Sequence, residues 1–363
     1  MRIAIINELY GTVRQGGEQE AIFELSRRLQ ADTTLQVDIY TYRGRGGEIK
    51  IPTAWPAPLR QLPFFRELFV LPHVGRTLAP VLAGRYGAII TSSPILFSQT
   101  PPPAPLICVC HAIRSQKAQK LAPQSIGKRA LFNSFVQRRL ARLEQRAFQA
   151  AASVVVLRAR MKDFLVATLA IPSDKITILP NAIDQNLFQP ESVEKEHVLF
   201  VGRATAMKGI DLLLAAAPNI QAPVVVVTKI APVSVRKKAS QAGVKFMFNI
   251  SHETMPQFYQ RAHCLVLPSR DEEMPLTVLE AMACGLPIVV TREAAADIIR
   301  DGENGFLLNT GEPKELAERV NVLLANKKLA GEFGQRNRQL IEQQYSWNGY
   351  LRTFREILTR LAP

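Results

Sequence analysis

The order of apolar and polar positions divides this chain into two series of short strand-like and longer helix-like segments. Apolar runs, and at 35–42 an alternation of apolar and polar positions, predict the strands. They lie at residues 3–7, 35–42, 86–91, 106–110, 153–157 and 175–179, and then at 198–202, 224–228, 244–248, 264–267 and 288–291. Segments with helical spacing follow them, as at residues 19–30. Strands that alternate with helices in this way predict parallel sheets covered on both faces. The expected fold class is therefore α/β, with two doubly wound, Rossmann-like domains.

The two series meet near residues 180–190, which separates a first domain, 1–180, from a second, 181–345. Residues 44–80 are rich in Pro, Gly and aromatic side chains, and we expect an irregular surface segment there. In doubly wound folds ligands bind at the carboxyl ends of the strands. The site is therefore expected in a cleft between the two domains.

Composition is that of a soluble globular protein: 47% of the 363 residues are apolar and 7% are aromatic. No apolar run approaches the ~20 residues of a membrane span, and the chain enters its first strand directly, so we expect no signal peptide. The cysteines lie in apolar segments and are read as buried thiols, because no second pair completes a metal site. They are Cys108, Cys110, Cys264 and Cys284. The expected compartment is the reducing cytoplasm.

Basic charge is concentrated in the first half of the chain. Residues 1–190 hold 24 Lys and Arg against 12 Asp and Glu, a net of +12 out of +14 for the whole chain. Within residues 112–147 nine basic residues accompany one acid, Glu144, and an apolar series runs through them at helical spacing. This pattern suits an anionic membrane surface or an acidic polymer. It equally suits a surface helix whose apolar stripe is core. No recognisable motif supports a nucleic-acid partner.

Two glutamates, Glu272 and Glu280, stand eight positions apart after a predicted buried strand. Pro275 suits the first position of a helix, which would put Glu272 in the loop above it and Glu280 roughly 7 Å along its axis. The free N–H groups of the helix N-terminus between them would bind phosphate, whereas carboxylates bind sugar hydroxyls. The spacing therefore predicts a site for a sugar–diphosphate–ribose.

The stretch from Glu272 to Pro287 resembles the Glu-x7-Glu motif of the family 4 (group 1) retaining glycosyltransferases, and the likeness extends over essentially the whole chain. It departs from that motif at Glu273, Met274 and Pro275. The resemblance implies the GT-B architecture, a terminal helix at 346–363 that crosses back to the first domain, an acceptor-binding first domain and a donor-binding second domain.

Other motifs resemble the same family. Residues 200–209 read F-V-G-R followed by K-G, which implies that Gly202, Arg203 and Lys208 bind the diphosphate. Met274, Leu276, Thr277 and Glu280 are assigned to the donor as well, and Glu272 to catalysis. Gly16-Gly17-Glu18 resembles a G-G-x-E position.

That position suggests Gly17 for the donor, and Gly16 and Arg14 for the acceptor. The stretch after residue 108, V-C-H-A-I-R, implies that His111 approaches the reacting sugar and Arg114 the acceptor. Two departures are Ala182, where the family has Gly, and residues 227–232, which lack a usual glycine turn. For that reason no base preference is carried over.

The sequence thus predicts a retaining transferase that takes a nucleotide diphosphate sugar as substrate, needs no cofactor and adds the sugar to a glycan or lipid-linked acceptor. Relatives are thought to react from the leaving-group face of the donor through an oxocarbenium-like transition state. No Asp-x-Asp occurs in the chain, so we expect no metal. An epimerase of the same fold and a non-catalytic sugar-binding protein remain alternatives. The expected location is the cytoplasm, with the inner face of the membrane as a further possibility.

Overall fold

The computed structural model describes residues 1–7, 16–41, 49–50, 66–116, 128–309 and 311–361. The chain divides into two compact units. Unit 1 comprises Met1–Pro180 and Leu351–Pro363, and unit 2 comprises Asn181–Tyr350. Each unit is built around a parallel sheet with its own buried core.

Unit 1 contains, among its described residues, a seven-stranded parallel sheet in the order β3-β2-β1-β4-β5-β6-β7. The strands are β1 (Arg2–Asn7), β2 (Gln36–Thr41), β3 (Ile49–Lys50), β4 (Ala88–Thr91), β5 (Leu106–Cys110), β6 (Ser153–Val156) and β7 (Ile176–Ile178). The helices are α1 (Gly17–Gln30), α2 (Leu71–Leu82), α3 (Lys128–Ala150) and α4 (Ala159–Leu169). Every residue of β4, β5 and β6 is buried, as expected for central strands covered on both faces.

Unit 2 contains a six-stranded parallel sheet in the order β10-β9-β8-β11-β12-β13 within the part of the chain that is described. Its strands are β8 (His197–Val201), β9 (Val224–Thr228), β10 (Val244–Phe248), β11 (Ala262–Leu267), β12 (Ile288–Thr291) and β13 (Gly305–Leu308). Its helices are α5 (Ile210–Ala216), α6 (Val233–Gln241), α7 (Met255–Gln260), α8 (Leu276–Ala283), α9 (Arg292–Ala295), α10 (Pro313–Ala325) and α11 (Lys327–Gln344). The last helix, α12 (Trp347–Leu361), begins in unit 2 and belongs to unit 1 from Leu351 onward.

The α/β fold class predicted from the sequence is confirmed, but one segment was read wrongly. Residues 44–80 were expected to be irregular, whereas Arg66–Val70 forms a π-helical turn that leads into α2. Apolar side chains at helical spacing, including Val74, Leu78 and Leu82, are buried along α2. Pro72 is tolerated because it lies in the first turn, where the helix needs no N–H from it, whereas Pro80 lies inside the helix. Trp55, Phe64 and Phe65 lie outside the described residues.

The burial of side chains on helix α3 bears on the two interpretations of the basic segment at residues 112–147. Val136, Leu140 and Leu143 are at most 4% exposed, so these positions of the apolar stripe are core, as one of the two interpretations held. Lys117 and Lys120 lie outside the described residues. Among the described residues, no helix combines the length and the apolar composition that crossing a membrane would require.

The four cysteines are buried and form no disulfide, as the sequence predicted. Burial raises the pKa of Cys108, Cys264 and Cys284 to about 12, because a thiolate loses its hydration in an apolar core. These thiols are packing groups and not nucleophiles at neutral pH.

Candidate functional site

The predicted donor residues of unit 2 follow two strands that are neighbours in the sheet but distant in sequence. The chain leaves β8 toward β9 on one side, and β11 pairs with β8 on the other. The order of the sheet reverses between these two strands, and in doubly wound folds ligands bind at such a reversal. The loops after β8 and β11 therefore form the candidate site of unit 2.

These two loops are held together by backbone and side-chain contacts. The N–H of Arg270 donates to the carbonyl of Met207 at 2.8 Å, and the Ser269 hydroxyl donates to the same oxygen at 3.0 Å. Gly209 has a φ of +74°, and a Cβ on it would lie 1.9 Å from the carbonyl oxygen of Pro268. Only glycine allows both this left-handed backbone and this close approach.

The contact between the loops brings together a cation and a carboxylate that the sequence had singled out. Lys208 Nζ donates to Glu272 Oε1, and the two side chains are 20% and 11% exposed. Arg203 follows Gly202 at the end of β8, and its side chain is exposed. One loop thus carries two cations, and the facing loop carries the carboxylate that pairs with one of them.

Helix α8 begins directly after this carboxylate-bearing loop. Pro275 is the residue before the helix and not its first residue, so the sequence prediction was wrong by one position. Its carbonyl accepts hydrogen bonds from the N–H groups of Val278 at 3.1 Å and Leu279 at 3.4 Å. The N–H groups of Leu276 and Thr277 therefore head the helix, where α-helical geometry provides no acceptor and an anion is favoured.

Glu280, in the second turn of α8, is 6% exposed. Its Oε2 accepts a hydrogen bond of 2.5 Å from the hydroxyl of Tyr259 on α7. Burial, together with the neighbouring carboxylate, raises the pKa of Tyr259 well above its usual value, so this hydroxyl is a donor at every working pH. Sequence reasoning missed Tyr259, and a single Tyr on a short helix gives no pattern that could have found it.

Asn181 fixes the loop that leads into α8. This residue is 4% exposed, and its amide nitrogen Nδ2 donates to the carbonyl of Met274 at 3.3 Å. Its backbone nitrogen lies 3.2 Å from the Met274 sulfur. Ala182 beside it is not among the described residues with positive φ, so alanine is compatible with the backbone there.

In unit 1 the structure describes two glycines at the start of α1. Gly16 precedes the helix and Gly17 is its first residue. The φ of Gly16 is 168°, an extended value that any residue adopts, and a Cβ on it would meet nothing within 4 Å. Glycine there leaves open space and is not required by the backbone. Arg14 lies outside the described residues.

The other predicted residues of unit 1 follow β5. His111 is 8% exposed, and Arg114 makes an ion pair of 3.2 Å with Glu18 on α1. Glu144, which is fully buried on α3, accepts from the N–H groups of Arg114 at 2.6 Å and Ser115 at 2.9 Å. The loop after His111 is therefore tied to α3 by one carboxylate.

Burial raises the pKa of Glu144, although its hydrogen bonds act in the opposite direction. Sequence reasoning counted Glu144 only as the single acid of a basic helix. A signal was present, because Glu144 follows Leu143 and lies four positions after Leu140 and three before Ala147, all of them on the buried face.

The structure thus gathers the predicted residues into two sets, one in each unit. In unit 2 these are Gly202, Arg203, Lys208, Glu272, Met274, Leu276, Thr277 and Glu280. In unit 1 they are Gly16, Gly17, His111 and Arg114. Among the described residues, no group of three or more His, Cys, Asp or Glu is arranged to hold a metal ion.

Comparison with known families accounts for both halves of the chain. The model of Glycosyltransferase Family 4 matches residues 15–187, and that of Glycosyl transferases group 1 matches residues 183–340. The chain belongs to the family 4, group 1 glycosyltransferases. The second of these matches contains the Lys208 and Glu272 loops and the whole of α8.

Individual relatives of this glycosyltransferase are distant. A D-inositol 3-phosphate glycosyltransferase from Paenarthrobacter aurescens is 24% identical over 350 residues, which cover 84% of this chain and 83% of that protein. Some matches to curated relatives are shorter. The one to an uncharacterized glycosyltransferase from Methanocaldococcus jannaschii is 24% identical and spans 52% of this chain and about half (55%) of that relative's length.

Solved structures share the fold of both units. Sucrose-phosphate synthase from Thermosynechococcus elongatus aligns with a TM-score of 0.81 at 20% identity, covering 99% of this chain and 98% of that one. Anabaena HepE in complex with UDP-glucose aligns with a TM-score of 0.73 at 16% identity, covering 99% and 100%. The fold of this glycosyltransferase is thus GT-B, with two Rossmann-like units.

Proposed function

We propose that this protein is a retaining, metal-independent glycosyltransferase that moves a sugar from a nucleotide diphosphate sugar to a glycan or lipid-linked acceptor. One observation carries the proposal: Lys208 and Glu272 are in contact at the head of α8, and Glu280 lies in the second turn of that helix. A cation and a helix N-terminus between two carboxylates match a diphosphate between two hydroxylated rings.

Each residue then has a role in the reaction. Lys208, Arg203 and the N–H groups at the head of α8 stabilise the diphosphate, whose negative charge grows as the glycosidic bond breaks. Glu272 orients hydroxyls of the donor sugar, and Glu280 binds those of the ribose. Lys208 contacts Glu272 already, so it fixes the carboxylate and supports the leaving group at once.

On the acceptor side the proposal assigns Gly16, Arg14 and Arg114. His111 approaches the reacting sugar, and Gly17 binds the donor. The names of two relatives contain phosphorylated small molecules, D-inositol 3-phosphate and sucrose phosphate, and a complex of a third contains UDP-glucose. With the net charge of +12 over residues 1–190, these names favour an anionic acceptor and a nucleoside diphosphate donor.

A panel of nucleotide sugars in a thermal-shift assay tests the donor. A bound donor raises the melting temperature by mass action. We expect one nucleotide sugar to stabilise the protein and the corresponding free sugar to have no effect. A panel in which no nucleotide or nucleotide sugar shifts the melting temperature would contradict the proposal.

Glu272→Ala tests the catalytic role. We expect sugar transfer to fall by about 100-fold or more, as when a group that orients the reacting centre is removed, while nucleotide binding persists. Glu318→Ala is the matched control, since Glu318 also pairs with a lysine but is 63% exposed on α10. Retained turnover in Glu272→Ala would rule out the assigned role.

Metal independence and the epimerase alternative are tested with the same assay. Transfer should continue in excess chelator, and its full loss there would contradict metal independence. An epimerase would convert the donor without an acceptor, whereas a transferase requires the acceptor for turnover. The anomeric configuration of the product, read by NMR, tests retention.

The exposed face of α3 supports association with an anionic membrane. Phe135 is 62% exposed, and the exposed arginines Arg138, Arg142 and Arg146 follow it at intervals of three and four residues. Glu144, the acid of this segment, is buried. Such a row of guanidinium groups with an aromatic side chain suits a surface of anionic lipid headgroups.

Co-sedimentation with vesicles tests this part of the proposal. We expect binding to vesicles with anionic phospholipids at low salt, and its loss when Arg138, Arg142 and Arg146 are changed to Gln. Arg236, Lys237 and Lys238 of α6 form a matched control, because they are three exposed bases in unit 2. Binding that is equally reduced by both triple variants would mean non-specific attraction. If the wild type does not bind the vesicles, the proposed membrane association is wrong.

A further inference from the structure

Unit 2 contains a buried hydroxyl–carboxylate pair next to the proposed donor site. The Tyr259 side chain is 0% exposed, and its hydroxyl donates to Glu280 Oε2 at 2.5 Å. The two residues lie on different helices, α7 and α8, so the bond joins elements that are separate in the chain. A short bond from a phenol to a carboxylate is among the stronger hydrogen bonds in proteins.

Tyr259 is itself fixed by packing. Its ring meets Phe188 edge to face with centroids 5.9 Å apart, and Phe188 is also fully buried. Phe188 also meets the ring of His252 edge to face, with centroids 5.2 Å apart. The Tyr259 hydroxyl therefore cannot follow Glu280 if that side chain turns, and it selects one orientation of the carboxylate.

We propose that Tyr259 is a positioning residue for recognition of the nucleotide ribose. By engaging Oε2, Tyr259 holds the Glu280 carboxylate in the orientation in which Oε1 accepts from the ribose hydroxyls. This inference rests on the proposed function, because it takes Glu280 as the group that binds ribose. Tyr259 contacts no substrate in this scheme and acts only through Glu280.

The test is Tyr259→Phe, which keeps the ring and removes the hydroxyl. Affinity is measured by calorimetry for two probes, UDP and 2′,3′-dideoxy-UDP, with GDP or ADP and their dideoxy forms if the wild type binds those instead. We expect UDP to bind about tenfold more weakly to the variant, the loss typical of one hydrogen bond to a charged group. Binding of the dideoxy probe should change less than twofold, since it has no ribose hydroxyls for Glu280 to bind.

The two probes separate positioning from a merely structural role. Equal weakening of UDP and dideoxy-UDP, or no weakening of either, would overturn the proposal. In steady state the donor KM should rise about tenfold with kcat unchanged within twofold, because the ribose is remote from the reacting carbon. A matched control is Tyr86→Phe in unit 1, where a Tyr hydroxyl also donates to a carboxylate, Asp38, at 2.6 Å. That variant should leave both affinities unchanged.

A double-mutant cycle with Glu280→Gln tests whether Tyr259 acts through Glu280. Glu280→Gln removes the buried charge, and adding Tyr259→Phe to it should weaken UDP binding less than twofold further. A further tenfold loss would overturn the proposal, because Tyr259 would then act independently of Glu280. If the wild type binds none of UDP, GDP and ADP, the proposed function fails, and this inference fails with it. Nucleotide binding with a failed Tyr259 test contradicts the inference alone.

Discussion

The two units have the same kind of parallel sheet, but they hold their site loops in different ways. In unit 2 the loops after β8 and β11 hold each other by backbone contacts, with Gly209 against Pro268 and Arg270 bonded to Met207. In unit 1 the loop after β5 is tied to a distant helix by the single carboxylate of Glu144. The loops of unit 2 are thus joined to each other by several contacts, whereas in unit 1 two backbone N–H groups of the loop share one carboxylate as their acceptor.

Gly209→Ala should have the largest effect, since it breaks the backbone contact of unit 2. A Cβ there would lie 1.9 Å from the Pro268 carbonyl oxygen, and the φ of +74° is strained for alanine. We expect the free energy of unfolding to fall by more than about 3 kcal/mol, with loss of nucleotide binding. Chemical denaturation and calorimetry measure the two.

Gly243→Ala is the control for Gly209→Ala. Gly243 has a φ of +69°, but a Cβ on it would meet nothing within 4 Å. Gly243→Ala should therefore lower the free energy of unfolding by only about 1–2 kcal/mol, the cost of a left-handed backbone at alanine. Nucleotide binding should be unchanged. Equal losses in the two variants would mean that the approach of Gly209 to Pro268 is not what matters.

Glu144→Gln should have the next largest effect, and it should affect the site of unit 1 without affecting that of unit 2. A Gln amide has one acceptor oxygen, so one of the N–H groups of Arg114 and Ser115 loses its partner. We expect the free energy of unfolding to fall by about 2 kcal/mol, and transfer to fall while nucleotide affinity stays within twofold. Weakened nucleotide binding in this variant would contradict the assignment of the loop after β5 to the acceptor side.

Asp211→Asn should have the smallest effect, because it removes one of several contacts between the loops of unit 2. Asp211 binds both Nη atoms of Arg270 at 2.8 Å, but both side chains are about half exposed, 51% and 50%. We expect the free energy of unfolding to fall by roughly 0.5 kcal/mol, as for an exposed ion pair.

The pH dependence of the stability difference between the wild type and Asp211→Asn tests whether the charge of Asp211 causes it. The hydrogen bond from Arg270 lowers the pKa of Asp211 below its usual value. A carboxyl whose pKa is lowered by folding adds stability above its unfolded pKa and loses it as the pH falls through the folded value. The free energy of unfolding of the wild type should therefore exceed that of Asp211→Asn by a constant amount above about pH 5. This difference should vanish in stronger acid. A difference that persists there would point to a cause other than charge.

Much of the donor site could be predicted from the sequence because its residues lie in short local motifs. Lys208 and Glu272 were identified by their loops, and the structure brings them into contact. Tyr259 and Glu144 were missed as site residues because each acts on a group 21 or about 30 positions away. Residues 66–80 were predicted wrongly because Pro and Gly were taken to exclude a helix, whereas the buried face of α2 outweighs them.

By itself the sequence determined the alternation of strands and helices, the buried cysteines and the family, since periodicity and local motifs are properties of neighbouring residues. Only the tertiary structure decided which groups meet: Lys208 with Glu272, Tyr259 with Glu280, and Glu144 with the loop after His111. The physical reason is that parallel strands carry distant segments to the same edge of a sheet, and the pairing of buried polar groups there depends on packing in three dimensions.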